Sequence, residues 1–268
     1  MASSLPSESE YPSTPLFTPT PRFLATLQTL RTQHLLDPAS ESLAYHSSLE
    51  AYVRKLCLLA SSPSFTDDAP SVLKDGPSEA LLLAANAQHV RRWEKPRSGY
   101  PEGLAGYKMW RTQLNKFHKE VAEEAMRACG YRDAEDPELF RRVGELLLKK
   151  TLARPPLPAK LSDLRGAACS FSPSFARVGA HRTSVDSIDP SRLADPEMHL
   201  FEDAICLTFL ALQFSSFAST VSDSDKLVGI VRKTWAKMTL LGRHVAGEEL
   251  VGGLDDELKA VVLKAVSE

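Results

Sequence analysis

Two stretches of this chain are apolar on almost every side of a helix, and they constrain the fold more than any other feature. Residues 78–93 carry Leu81, Leu82, Leu83 and Val90 among alanines, and residues 197–219 form the second stretch. A helix that is hydrophobic all round is a buried helix. No segment of useful length alternates apolar and polar residues as a half-buried strand would. The sequence therefore predicts an all-α protein.

Further helices are predicted wherever apolar residues recur every three or four positions. Helical spacing begins at Pro21 and returns over residues 43–56. Asp136 and Pro137 have the residue types of an N-cap and a first helical position, and predict a helix running to about residue 152. The remaining predicted helices span residues 107–130, 226–241 and 255–266.

The composition of the connecting segments predicts the domain organisation. Residues 1–20 are rich in Ser, Thr and Pro and predict a disordered tail. Residues 21–268 are predicted to form a single helical domain, in which residues 154–196 are mostly a long inserted loop. The chain has 268 residues, enough for one large core.

Charge, cysteine usage and targeting signals exclude several classes of protein. The formal net charge is -2, so any attraction for an anion must be local. The four cysteines are scattered without a C-x-x-C pair, which argues against a zinc ribbon and a disulfide framework. No secretory signal or membrane-spanning segment is evident, which predicts a cytoplasmic or nuclear protein. Phosphate-loop, dinucleotide and H-E-x-x-H motifs are also absent from the sequence.

Polar residues interrupt the apolar pattern at a few positions, and these predict the functional site. His89, Arg92 and Trp93 would share a face near the end of one buried helix. Glu202 and Asp203 begin the other, where an inward carboxylate requires a cation or a metal. His118 lies on the apolar face of the helix between them, where a hydrogen-bonded core histidine is the simpler interpretation. Two histidines and a carboxylate from three helices suit zinc, iron or manganese.

Cations and aromatic residues concentrate in the loop between the two predicted histidine helices. The basic and aromatic candidates for binding an anion are Arg92, Trp93, Arg97, Trp110, Arg111, Lys149 and Lys150. They are consistent with a solvated basic surface that favours helix ends. They are equally consistent with an anion clamp in which arginine binds phosphate or carboxylate with both arms.

Several of these segments resemble a family described as a domain of unknown function. The matching motifs are AQHVRRWEKPRSGYP (87–101), GYKMWRTQLNKFH (106–118), LLKKTL (147–152), FEDAICLTFL (201–210) and VRKTWAKM (231–238). They occur in the family's order over most of residues 38–241. The resemblance implies no established reaction.

The chain is also distantly similar to the HD superfamily of metal-dependent phosphohydrolases. The resemblance implies an HD-like fold, with LLLAANAQHV in place of the helix that carries the His-Asp pair and FEDAICL in place of the terminal aspartate helix. His46 would match the superfamily's first histidine. Gln88 and His89 stand where the His-Asp pair is expected, so the implied metal ligands become His89, His118 and Asp203.

Three functions follow as hypotheses. The first is a metal-dependent hydrolase for a small phosphorylated or anionic ligand, in which manganese, iron or zinc activates water and Glu202 or His89 acts in catalysis. The second is an anion- or nucleotide-binding or regulatory module that uses the same pocket without metal. The third and weakest is RNA binding by the arginine and tryptophan loop.

Overall fold

The helices begin where the sequence supplies capping side chains. Thr20 accepts a hydrogen bond from the amide of Phe23, and Ser78 accepts one from the amide of Leu81. Asp195, Asp223 and Thr239 accept from backbone amides at later helix starts in the same way. Each cap satisfies an amide that has no partner within its helix.

A computed structural model describes residues 18–60, 76–150 and 195–267. The helices of these ranges are α1 (Pro21–His34), α2 (Ser42–Ala60), α3 (Glu79–Ala87), α4 (Gly103–Ala128), α5 (Pro137–Leu148), α6 (Pro196–Leu212), α7 (Phe214–Ser219), α8 (Ser224–Trp235), α9 (Leu240–Val245) and α10 (Asp256–Ser267). No strand occurs in the described ranges. The predicted all-α single domain is confirmed.

Helix α3 lies at the centre of the main core. Every residue from Ala80 to Ala85 is buried, as is Ala87, which confirms that the apolar run forms an interior helix. It packs against α2 and α5, while α2 also packs along α6 and α4 packs on α5. A helix that is surrounded in this way has no solvent-facing side, and its sequence accordingly needs no polar stripe.

A smaller apolar cluster joins the C-terminal helices. Phe214 from α7, Leu227 and Val231 from α8, and Val262 and Ala265 from α10 form it. Phe209 and Leu210, from the end of α6, pack against this cluster. The long helix α6 thus belongs to both cores and connects them.

The predicted helix over residues 78–93 is too long. Helix α3 ends at Ala87, and His89 and Arg91 adopt positive φ angles of 66° and 51°. A short 3-10 turn over Arg92–Glu94 follows. His89, Arg92 and Trp93 therefore do not share a helical face. Left-handed backbone is unfavourable for residues other than glycine, so tertiary contacts must hold this turn.

Other boundaries also differ from the predicted ones. Helix α4 begins at Gly103 rather than residue 107, and α5 ends at Leu148, where Lys149 has a φ of 55°. The predicted helix 197–219 divides at Gln213 into α6 and α7. The predicted helix 226–241 ends at Trp235.

Two of the predicted features lie mostly outside the described residues. These are the tail over residues 1–20 and the inserted loop over residues 154–196. Within the described ranges, no helix combines the length and apolar character that crossing a membrane requires.

Candidate functional site

Four histidines from four different parts of the chain, of which His89 is half-buried and the other three are buried, meet at the turn that follows α3. His34 ends α1, His46 lies in α2, His89 lies in the turn, and His118 lies in α4. The His34 and His46 rings stack with their centroids 3.3 Å apart. The His89 and His118 ring centroids are 5.7 Å apart. We refer to these four residues as the histidine cluster.

Hydrogen bonds fix the tautomers of two members. His34 Nε2 lies 2.8 Å from the Asn86 carbonyl, which can only accept, so Nε2 carries the proton. Its Nδ1 then accepts from the Ser42 hydroxyl at 2.8 Å. Arg92 Nη1 donates to His89 Nε2 at 3.0 Å, which places the proton of a neutral His89 on Nδ1.

The other two histidines have no side-chain hydrogen-bond partner among the described residues. Both ring nitrogens of His118 and Oε1 of Gln88 are buried without a partner there. The His46 ring is also buried, and the backbone of Ala85 and of Gln88 lies close enough to act on its pKa. A neutral imidazole has one N–H donor and one acceptor lone pair. A buried polar group without a partner costs about 1–3 kcal/mol. These atoms are therefore able to form hydrogen bonds with polar groups that reach them.

The histidine cluster is held in its neutral form. Burial is the largest cause and lowers the pKa of His34 to about 4 and that of His118 to about 3. Burial also lowers the pKa values of His46 and His89 well below the ordinary value. The charge of Arg92 lowers the pKa of both His89 and His118 further. At neutral pH the cluster consists of uncharged donors and acceptors.

Arginine side chains lie at the outer end of the histidine cluster. The Arg92 guanidinium lies over the Trp110 ring at 5.1 Å, and Trp110 is itself fixed by donating to the Lys95 carbonyl at 2.8 Å. Arg111 lies 3.5 Å from the Tyr107 hydroxyl. In the described part of the chain, neither arginine forms an ion pair with a carboxylate. Burial lowers the pKa of Arg92, and the charge of Arg111 lowers it further.

A buried ion pair borders the arginines. Lys149 donates to Glu202 at 2.5 Å, and Lys237 lies 3.8 Å from the other Glu202 oxygen. Burial acts to raise the pKa of Glu202, but the charge and hydrogen bond of Lys149 outweigh it and the pKa is lowered. Glu202 is therefore a carboxylate that already has a cation, and Lys149 is not a free anion ligand.

Asp203 forms its hydrogen bonds with Thr239 rather than with the histidine cluster. Its two oxygens accept from the amide of Thr239 at 2.8 Å and from the Thr239 hydroxyl at 2.5 Å. Burial raises the pKa of Asp203 to about 7. Within the described ranges, no group of three or more His, Cys, Asp or Glu side chains is arranged to hold a metal ion. His89, His118 and Asp203 do not fit a common metal ion as they stand.

The remaining predicted ligand residues lie in other environments. Arg97 donates to the backbone carbonyl of Tyr100 at 2.9 Å and so supports the loop from within. Trp93 is half-buried, and Lys150 is exposed. The structure thus brings His89, His118, Arg92, Trp110, Arg111, Lys149 and Glu202 together, and places Arg97 in a loop-stabilising position.

Two members of the site were missed by the sequence analysis. His34 follows Phe23, Thr26 and Leu30 on the buried side of α1, so its spacing already placed it on an apolar face. Tyr45 lies beside His46, and its ring centroid is 4.7 Å from that of His89. The spacing that identified His118 would have identified His34 as well.

The fold and site define an all-α domain with a polar, histidine-rich centre. A family model described as a domain of unknown function (DUF4202) matches residues 25–171 and 175–262. The chain belongs to this family. No curated protein and no solved structure matches it.

Proposed function

We propose that this protein binds a small phosphate-bearing anion at Arg92 and Arg111. The observation that carries the proposal is the partly buried Arg92 guanidinium, which has no carboxylate partner in the described part of the chain. A cation is costly to bury without a counter-charge. An anionic ligand would supply that charge.

The local balance of charge supports an anion rather than a cation. Arg92, Arg111, Lys149 and Lys237 are the cations around the site, and Glu202 is the carboxylate among them. Because the histidines are neutral, the cations outnumber the carboxylate. This excess is local, since the whole chain has a formal net charge of -2.

The position of Arg92 also suits phosphate recognition. A guanidinium is planar and donates two parallel hydrogen bonds to phosphate or carboxylate oxygens. Trp110 supports one face of Arg92 and reduces the side-chain freedom that would be lost on binding. His89, which accepts from Arg92 in the free protein, leaves the other donors of the guanidinium available.

The test is isothermal titration of the full chain with inorganic phosphate and pyrophosphate, beside Arg92→Ala and Arg92→Lys. We expect Arg92→Ala to weaken binding at least tenfold, because a hydrogen bond to a charged group contributes about 1.5–3 kcal/mol. Arg92→Lys should recover part of the loss but lack the paired hydrogen bonds. Arg141→Ala is the matched control, since Arg141 is exposed and pairs with Glu138 and Glu145.

Two results would contradict the proposal. One is the absence of binding to any phosphate compound, and the other is equal binding by wild type and Arg92→Ala. Single-stranded RNA, titrated at physiological salt, tests the third hypothesis in the same experiment. Preferential RNA binding that depends on Arg92 would favour that hypothesis instead.

Metal-dependent hydrolysis of the bound ligand is a second candidate. The observation that favours it is the proximity of His89 to His118, whose two ring nitrogens are unpaired. Asp203, the predicted third ligand, is engaged by Thr239, so we derive no catalytic step through a metal. The test is metal content after purification without chelator, together with phosphate release in added manganese, iron or zinc. Stoichiometric metal that is lost in His89→Ala would support hydrolysis.

A further inference from the structure

The unpaired atoms of the site specify more about the ligand than the arginines do. Both ring nitrogens of His118 and the amide oxygen of Gln88 are buried without partners among the described residues. They lie near Arg92, because Arg92 donates to His89, the His89 ring adjoins His118, and the charge of Arg92 lowers the pKa of His118.

The chemistry of these atoms selects hydroxyl groups. Each neutral imidazole presents one donor and one acceptor, and a hydroxyl presents the same pair in return. A ligand carboxylate or carbonyl would satisfy the donors alone, and an ammonium would satisfy the acceptors alone. An alkyl group would leave both nitrogens without a hydrogen bond.

The spacing of the site limits where the hydroxyl lies relative to the phosphate. Arg92 Nη1 is 3.0 Å from His89 Nε2, and the His89 ring centroid is 5.7 Å from that of His118. His89 thus adjoins both Arg92 and His118, so a ligand that reaches both residues carries its phosphate and its hydroxyl at different positions.

We infer that the ligand is a phosphate ester that also carries a hydroxyl group, with its phosphate on Arg92 and Arg111 and that hydroxyl on His118. This inference rests on the proposed anion site. On binding, the remaining donors of Arg92 bond the phosphate, and the unpaired nitrogens of His118 gain the ligand hydroxyl. No covalent step is required.

The experiment compares two phosphate esters of equal carbon number by isothermal titration. Glycerol 3-phosphate carries two hydroxyls, and n-propyl phosphate carries none. We expect the wild-type protein to bind glycerol 3-phosphate at least tenfold more tightly. In His118→Leu the two affinities should become equal, while inorganic phosphate binds as in wild type. Leucine removes both unpaired nitrogens, which favours folding of the variant.

A second variant, together with inorganic phosphate and the two esters, distinguishes failure of this inference from failure of the proposed anion site. His118→Asn retains a donor and an acceptor, so it should keep part of the preference for glycerol 3-phosphate. Equal binding of both esters by the wild type would overturn the inference and leave the anion site intact. A tenfold preference that persists in His118→Leu would overturn the role of His118. Failure of phosphate and both esters to bind would overturn the inference together with the proposed function.

Discussion

Glu202 and Asp203 are adjacent and buried, yet their pKa values are shifted in opposite directions. Lys149 provides Glu202 with a cation, so its carboxylate remains charged. Asp203 has hydrogen bonds from Thr239 but no ion pair with a cation among the described residues, and burial raises its pKa. The neighbouring cation therefore decides which of these two side chains carries a full charge.

Removing the cation from Glu202 should destabilise the protein strongly. We expect Lys149→Met to lower the free energy of unfolding by about 3–5 kcal/mol, the usual cost of leaving a buried charge unpaired. The double variant Lys149→Met with Glu202→Leu should recover most of that loss, since it removes both charges. Chemical denaturation of the three proteins measures the effect. A single variant as stable as wild type, or a double variant no better than the single one, would contradict this account.

The neutral histidine cluster should make stability depend on pH. The pKa of each member is lowered in the folded state, so below about pH 6.5 the unfolded chain binds protons that the folded protein does not. The contribution of the neutral histidines to the free energy of unfolding is complete above pH 6.5, and it declines as the pH falls toward 4. Each histidine contributes at most about 1.4 kcal/mol per pH unit in that window.

Asp203 partly opposes this trend. Its pKa is raised to about 7, so between pH 7 and 4 the folded protein takes up a proton that the unfolded chain lacks. One such group offsets one histidine, and the net prediction remains a loss of stability on acidification from pH 7 to 5. His118→Leu should reduce the slope of the unfolding free energy against pH. A slope that is unchanged in this variant, or stability that increases down to pH 5, would contradict the prediction.

At the scale of elements, sequence patterns predicted the helices but not the turn that builds the site. The apolar residues 80–87 determine α3 because a helix with no polar stripe must be buried. The spacing of apolar residues carries no information on φ. Glycine would have indicated left-handed backbone at these positions, but His89 and Arg91 are not glycines. The predicted end of α5 is too late for the same reason, because the backbone of Lys149 is also left-handed.

The contact between α6 and α9 depends on a glycine. A Cβ atom on Gly242 would lie 2.5 Å from Asp203 Cγ, well inside van der Waals contact. We expect Gly242→Ala to displace the Asp203 carboxyl from Thr239 and to lower the unfolding free energy by about 2 kcal/mol or more. Thermal unfolding measures the loss.

Gly229 provides the matched control within another helix. A Cβ atom there meets nothing within 4 Å, so Gly229→Ala should stabilise α8 by about 0.5–1 kcal/mol. The two alanine substitutions are thus predicted to have opposite signs. A stabilising Gly242→Ala would contradict the close packing of α9 on Asp203.

At the scale of the whole molecule, the site is assembled from distant segments around an interior that is mostly apolar. His118 and Arg92 were predictable from the sequence because a polar residue in an apolar stripe and a cluster of cations are visible there. The HD resemblance implied that His46 belongs to the same site, but the stacking of His34 on His46 was not predictable, because it depends on how α1 and α2 pack. Residue type and the HD resemblance had grouped Asp203 with His89 and His118 as metal ligands, whereas Asp203 is engaged by Thr239 and the three form no metal-holding group among the described residues.

The most direct measurement is the ¹⁵N chemical shifts of the histidine ring nitrogens at pH 6, with and without inorganic phosphate. All four rings of the histidine cluster should be neutral, with the proton on Nε2 of His34 and on Nδ1 of His89. Phosphate should shift the His89 Nε2 resonance, because the charge of the bound phosphate changes the hydrogen bond that Arg92 donates to this nitrogen. Histidines that titrate near pH 6.5 and do not respond to phosphate would contradict both the neutral cluster and the anion site above it.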